Sequence, residues 1–105
     1  MAYKLIITDH ADELIDSRIY YIINKLKNPP AAQHLLDGID EIYTRLEDNP
    51  DQFPDSMDSF LRSRGFKEAL IHDMNYKLVF RVEGRSVYIE GLFHDLENHA
   101  SKLHE

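Results

Sequence analysis

The sequence predicts a two-layer α+β domain, in which a helical hairpin covers one face of a small antiparallel-rich sheet. Three observations lead to this fold class. Residues 75–94 alternate between apolar and polar side chains around a Glu83-Gly84 pair, which is the pattern of a β-hairpin. Two earlier segments carry apolar residues at helical spacing, with a short break between them. Each layer has an apolar face that the other can bury, so the two layers are expected to pack together.

The first half of the chain reads as one strand followed by two helices. The opening YKLIIT is rich in β-branched residues, which favour strands. Thr8 or Asp9 can cap the helix that follows. The sequence Asn-Pro-Pro then interrupts the helical pattern, and proline suits the first turn of a new helix. The predicted elements are a strand over residues 3–8, a helix over 10–27 and a second, antiparallel helix that ends at about Glu47.

The second half reads as a loop followed by three strands, which gives the element order β-α-α-β-β-β. Residues 49–65 contain two prolines and three aspartates, so we expect an irregular loop with a short helical turn. Residues 66–72 are predicted to be a strand, and residues 73–75 turn the chain into the hairpin. The tail over residues 95–105 is polar and is expected to form at most one or two helical turns.

The hairpin register follows if Glu83 and Gly84 are the two turn residues. Phe80 then faces Val87 on the core side of the sheet. Lys77 faces Glu90 on the second face. That second face also carries Arg81 and His94, and it is where we expect any chemistry to take place.

Composition limits the classes of protein that fit. The length of 105 residues indicates a single domain over residues 1–105, and the absence of cysteine excludes disulfides and thiolate chemistry. No apolar run is long enough to span a bilayer, so the expected location is the cytoplasm. The net charge of −7 is uneven: residues 9–58 hold 12 acids and 4 bases, whereas residues 59–94 hold 4 acids and 6 bases. A chain with this net negative charge is a poor non-specific binder of nucleic acid, because that affinity depends on basic contacts to phosphate.

Several segments together resemble the RelE/ParE superfamily, the toxins of bacterial type II toxin–antitoxin systems. These are the opening YKLIIT, the pattern AAQHLLDGIDEIYTRLEDNPDQFP, and above all GFKEALIHDMNYKLVFRVEGRSVYIEGLFHDLENHASKL. The resemblance covers nearly the whole chain, and it implies a cognate antitoxin encoded by an adjacent gene. RelE-like members are ribosome-dependent mRNA endonucleases, whereas ParE-like members bind DNA gyrase without known catalytic residues. A relative that has lost toxicity and only binds an antitoxin is the third alternative.

The resemblance also implies roles for individual residues. Lys77 stands where the ribonucleases usually have an arginine that stabilises the scissile phosphate. His94 stands where they have a general acid or base, and Lys67 stands at a frequently basic position at the start of the second strand. The lysine at 77 lacks the bidentate phosphate binding of arginine. A surface histidine and a Lys77–Glu90 ion pair are the simpler accounts of two of these residues.

Three arginines extend the candidate phosphate-binding site, but no metal or cofactor site is predicted. Arg62 and Arg64 precede the second strand and Arg81 lies on the second face of the hairpin; a solvated loop explains the first two equally well. The spacing of His94, His99 and His104 fits no metal motif. The sequence contains no nucleotide-binding or nucleophile motif, so we expect no cofactor.

The first helix also offers a candidate surface for the antitoxin. Tyr20 and Tyr21 are adjacent, so one of them is expected to lie outside the core. Ile19 and Ile23 are near enough to line an apolar groove with it. The alternative is that both tyrosines only cover the rim of the core. Because the helices are acidic, the expected partner segment is basic or mostly apolar.

Overall fold

The predicted element order is confirmed by a computed structural model that describes residues 2–71 and 73–94. The sheet has the strand order β1-β4-β3-β2, with β1 parallel to β4 and the other pairs antiparallel. The loop contains the expected helical turn as a short third helix, after a 3₁₀ turn over Pro50–Gln52. The elements are β1 (Lys4–Ile7), α1 (Asp9–Asn24), α2 (Pro29–Asp48), α3 (Ser59–Ser63), β2 (Phe66–Leu70), β3 (Tyr76–Glu83) and β4 (Ser86–His94).

Local side chains start both long helices. The Thr8 hydroxyl accepts a hydrogen bond from the backbone N–H of Ala11 and donates one to the carbonyl of Ile89, so the cap also ties α1 to β4. The side chain of Asn28 caps α2 in the same way. α1 ends at Asn24, three residues earlier than predicted, because the chain reverses through Lys27 in a left-handed conformation with φ of 54°.

The core lies between the helical pair and one face of the sheet. Apolar residues from α1 and α2 meet alternate residues of the three longer strands, as the layer argument requires. Phe80 is fully buried at its centre and makes an edge-to-face contact with Phe53, whose ring centroid is 5.8 Å away. The buried members of this core are Ala11, Ile15, Ile22, Ala32, Leu35, Ile39, Ile42, Leu46, Phe53, Ala69, Ile71, Leu78, Phe80, Val87, Ile89 and Leu92.

The hairpin register differs from the prediction at the turn. Glu83 pairs with Ser86, so the turn residues are Gly84 and Arg85 rather than Glu83 and Gly84. Gly84 has a φ of 59° at the first turn position, as a type II′ turn requires. Phe80 consequently faces Ile89 and not Val87. A shift of two residues keeps each side chain on its predicted face, so the core assignment near the turn holds.

A β-bulge in β4 produces a larger correction. The register shifts between Val79 and Phe80, because Glu90 is an extra residue between Ile89 and Gly91. Beyond the bulge, every residue of β4 lies on the face opposite to the predicted one. Strict alternation along residues 75–94 predicts Gly91 and Phe93 on the core side together with Val87 and Ile89, and this prediction is wrong because both residues lie on the other face.

The bulge creates a second, smaller core on the other face of the sheet. Phe93 and Val79 pack there with Leu61 from α3, while Phe60 and Phe66 cover the edge of this cluster. The second face of the sheet is therefore partly covered rather than open. This face is the one on which the sequence analysis expected a polar site.

Candidate functional site

Lys77 is buried in an ion pair rather than displayed on a polar face. Its Nζ lies 3.3 Å from Oε2 of Glu68 on β2, and the two side chains are only 7% and 5% exposed. The other carboxylate oxygen of Glu68 accepts a hydrogen bond of 3.0 Å from the backbone N–H of Met57. The predicted pairing of Lys77 with Glu90 is wrong, because the bulge places Phe93 opposite Lys77. A phosphate that approached this ammonium group would have to compete with a buried carboxylate.

Lys67 holds the loop before α3 against β2. Its Nζ binds the carboxylate of Asp55 at 3.2 Å and the carbonyl of Phe53 at 3.3 Å. By register Lys67 lies opposite Phe80, whereas Lys77 lies opposite Leu70. Because alternate residues of a strand point to opposite faces, the two lysines leave the sheet on different sides.

His94 is separated from Lys77 by the same bulge. It pairs with Tyr76 at the end of the hairpin, and the two rings meet edge to face with centroids 5.4 Å apart. Tyr76 and Lys77 are consecutive in β3, so His94 and Lys77 lie on opposite faces of the sheet. The predicted grouping of lysine and histidine on one face is therefore wrong, while the catalytic role of each residue stays a prediction.

The predicted arginines all have contacts within the protein. Arg81 binds Glu90 with an Nε–Oε2 distance of 2.6 Å, also contacts Glu83, and lies 4.2 Å from the ring centroid of Tyr88. Arg62 donates a hydrogen bond to the backbone carbonyl of Ser56, and the guanidinium of Arg64 stacks on the ring of Phe60. The carboxylates of Glu83 and Glu90 neutralise Arg81, whereas Arg62 and Arg64 remain exposed and keep their charge.

A surface cluster that the sequence analysis missed lies at the end of the sheet nearest α1. The guanidinium of Arg18 lies 5.5 Å from the ring centroid of Tyr21 and 5.3 Å from that of Tyr76. Tyr76 in turn contacts His94. The available signal was the position of Arg18, three residues before Tyr21 and hence on the same side of α1. This cluster brings a cation, a phenol and an imidazole together.

The four candidate antitoxin-binding residues divide between two sides of α1. Tyr21 belongs to the cluster with Arg18, whereas Ile19 and Ile23, one turn apart, share another side of α1, next to Tyr20. Tyr20 is 59% exposed and Ile23 is 40% exposed, while Ile19 is half-buried against the core. One tyrosine was expected outside the core, and the structure exposes both of them.

A groove runs along β2, which is an edge strand. Its volume is about 710 Å³, and its lining includes the exposed Met57 and Leu70 as well as Lys77 and Glu68. Part of the outer edge of β2 is already occupied, since the N–H of Glu68 donates to the carbonyl of Pro54. The buried ion pair thus forms part of the lining of a groove that has both polar and apolar side chains.

Within the described residues, no group of histidine and acidic side chains is arranged to hold a metal ion. His99 and His104, which were weighed as ligands with His94, lie outside the described residues. The described helices also include none with the length and apolar character that crossing a membrane requires.

Comparisons with known proteins give one informative result, and it concerns the fold. No family model matches the chain, and no curated protein matches it by sequence. Among solved structures, it is similar to a chain of the "Chromosomal ParDE TA system from P. aeruginosa", with a TM-score of 0.69 and 19% identity. The similarity covers 89% of this chain and 96% of the other. The chain therefore has a RelE/ParE-like α+β fold, the architecture found in a toxin–antitoxin system.

Proposed function

We propose that this chain is the toxin half of a bacterial toxin–antitoxin pair, and that it acts in the cytoplasm by binding a protein. The observation that carries the proposal is the likeness of fold to a chain of a ParDE system, over nearly all of both chains. The likeness concerns the whole architecture rather than one shared motif. It agrees with the resemblance read independently from the sequence.

The burial of Lys77 and its separation from His94 favour a protein target over RNA. Cleavage of RNA requires a cation beside the scissile phosphate and an acid or base within reach of the same phosphate. Lys77 is buried against Glu68, and His94 lies on the other face of the sheet. Superfamily members without known catalytic residues act on DNA gyrase, so gyrase is the proposed target.

The test is induced expression with three parallel measurements: growth, mRNA 5′ ends and plasmid supercoiling. We expect growth arrest with altered supercoiling and no new mRNA 5′ ends. His94→Ala should leave the arrest unchanged, because the proposed action does not use its imidazole. New 5′ ends that disappear in His94→Ala would overturn the gyrase proposal.

An mRNA endonuclease is the second candidate, and the cluster of Arg18, Tyr76 and His94 is the observation that favours it. In such a reaction the 2′-oxygen of the RNA attacks the adjacent phosphorus while the bond to the 5′-oxygen of the next nucleotide breaks, which leaves a 2′,3′-cyclic phosphate and a free 5′-hydroxyl. His94 takes the proton from the 2′-hydroxyl or gives one to the leaving 5′-oxygen, and Arg18 stabilises the developing negative charge. Each of Arg18→Ala and His94→Ala should then relieve growth arrest. Glu41→Ala, a change on an exposed part of α2, is the control and should leave the arrest intact.

The proposed partner is an antitoxin encoded by the adjacent gene. The segment of an antitoxin that wraps the toxin is disordered alone and folds when it binds. Co-expression of the adjacent small reading frame should suppress growth arrest and give a complex that survives size-exclusion chromatography at micromolar concentration. If the two proteins separate, that frame does not encode the antitoxin of this chain. If the complex forms but the chain alone never arrests growth, the chain is an antitoxin-binding relative that has lost toxicity.

A further inference from the structure

Apolar side chains remain exposed along the outer side of the α1–α2 pair. Tyr20 is 59% exposed, Ile23 is 40% exposed, and Leu36 on α2 is 37% exposed. Ile19, one turn before Ile23, is half-buried and packs against the core beneath them. Together these residues extend the apolar stripe of α1 beyond what the core covers.

The alignment of the two helices brings these residues into one strip. Ile19 on α1 and Tyr43 on α2 are both partly buried against the same core. The charge of Asp12 on α1, after burial, helps to raise the pKa of Tyr43 to about 12, which agrees with Asp12 and Tyr43 facing each other across the pair. In an antiparallel pair aligned in this way, helix geometry places Ile19, two turns after Asp12, on the same stretch of the seam as Leu36, two turns before Tyr43. The apolar strip therefore follows the seam between the helices and ends at a pair of carboxylates.

The rim of this seam is acidic. Asp16 lies one turn after Asp12 and one turn before Tyr20, so it is on the same side of α1. Asp40 lies one turn after Leu36 on α2. None of Asp12, Asp16 and Asp40 takes part in an ion pair found among the described residues. Their negative charge is thus available to a binding partner.

We infer that this acid-rimmed seam binds a basic amphipathic helix of another protein. An apolar strip between two helices fits the apolar face of a third helix, and the acidic rim complements lysine or arginine on that helix. A second copy of this chain is a poor occupant, because its own helical half carries 12 acids and 4 bases. The inference rests on the proposed function only for naming the occupant as the antitoxin.

The seam can be tested with two synthetic peptides as probes. Both are amphipathic helices of about the length of α1 with the same leucine face, and the polar face is lysine in one and glutamate in the other. Fluorescence anisotropy with the full chain should show binding of the lysine peptide only. Asp16→Lys and Asp40→Lys should each weaken that binding by about tenfold, and added salt should weaken it further.

Glu41→Lys is the matched control, because it makes the same charge change at the residue next to Asp40. Glu41 lines a cavity on the other side of α2 together with Leu70, so this change should alter the affinity by less than about twofold. Circular dichroism should show that all three variants are folded. Equal affinity for the two peptides, or equal loss in Asp40→Lys and Glu41→Lys, would overturn the inference.

The product of the adjacent reading frame separates this inference from the proposed function. If that product forms a complex that Asp16→Lys and Asp40→Lys leave unchanged, the proposed function stands and the inference fails. If that product does not bind, while the lysine peptide binds and depends on both aspartates, the inference stands and the proposed function loses its partner.

Discussion

The buried ion pair between Lys77 and Glu68 is a structural element whose two halves depend on each other, and Lys77→Met tests this dependence. The substitution keeps the volume of the side chain but removes its charge. The Glu68 carboxylate, only 5% exposed, then loses the ammonium group 3.3 Å away. It keeps the hydrogen bond from the N–H of Met57, which does not compensate for a buried negative charge.

Breaking such a pair from one side costs about 3–5 kcal/mol of unfolding free energy, because the remaining charge is buried without its partner. Exposure of both groups is low enough that solvent screening reduces this figure little. A domain of this size has a total stability of about 5–15 kcal/mol, so the loss is a large fraction of it. The double variant Lys77→Met/Glu68→Gln should recover most of the loss, because glutamine still accepts the hydrogen bond from Met57.

Urea unfolding at 25 °C, followed by circular dichroism, measures all three proteins. We expect Lys77→Met to be much less stable than the wild type, and the double variant to lie within about 1 kcal/mol of the wild type. A loss below about 1 kcal/mol in Lys77→Met would show that the ammonium group is not buried against Glu68. The ion pair could then no longer be used as an argument against phosphate binding.

Three further predictions test the core, a tyrosine and the bulge. Phe80→Ala should cost about 3–5 kcal/mol in urea unfolding because the ring is fully buried, whereas Leu70→Ala at an exposed position should change stability by less than about 0.5 kcal/mol. The raised pKa of Tyr43, about 12, means that its protonated form stabilises the fold below pH 10 and that this stabilisation is lost as the pH rises through 12. In an ultraviolet titration, the wild type should therefore show a phenol that ionises near pH 12, and Tyr43→Phe should lack it. Gly91→Ala should cost about 1–3 kcal/mol in thermal or urea unfolding, because its Cβ would lie 2.6 Å from the ring of Phe93; an unchanged stability would contradict the described packing.

The parts of the fold that depend on local patterns were predictable from the sequence. The helical stripes, the break at Pro29 and the cap at Thr8 each reflect residues within one or two turns of one another. The error of two residues at the turn of the hairpin had no effect on the faces, since the period of a strand is two. Gly84 supplied the positive φ that the turn needs, but the sequence alone did not fix whether it came first or second.

The bulge could not be located by counting alternation, because one extra residue leaves both halves of β4 with a regular pattern. Gly91 was the available signal, since an isolated glycine in a strand often marks a bulge. Its place beneath the ring of Phe93 requires a residue without a Cβ. The pairing of Lys77 with Glu68 was equally hidden, because it joins β3 to a neighbouring strand whose register depends on tertiary structure.

This one extra residue affects the choice between the two functional classes. If β3 and β4 paired without a bulge, Lys77 and His94 would lie on the same face of the sheet, as a nuclease site that used both residues would require. With Glu90 inserted, His94 lies beside Tyr76, and Lys77 lies opposite Phe93 above a second small core. The same insertion leaves Glu90 to neutralise Arg81. The separation of the imidazole from Lys77, and the pairing of Lys77 and Arg81 with carboxylates, support the proposal of a protein target over that of RNA cleavage.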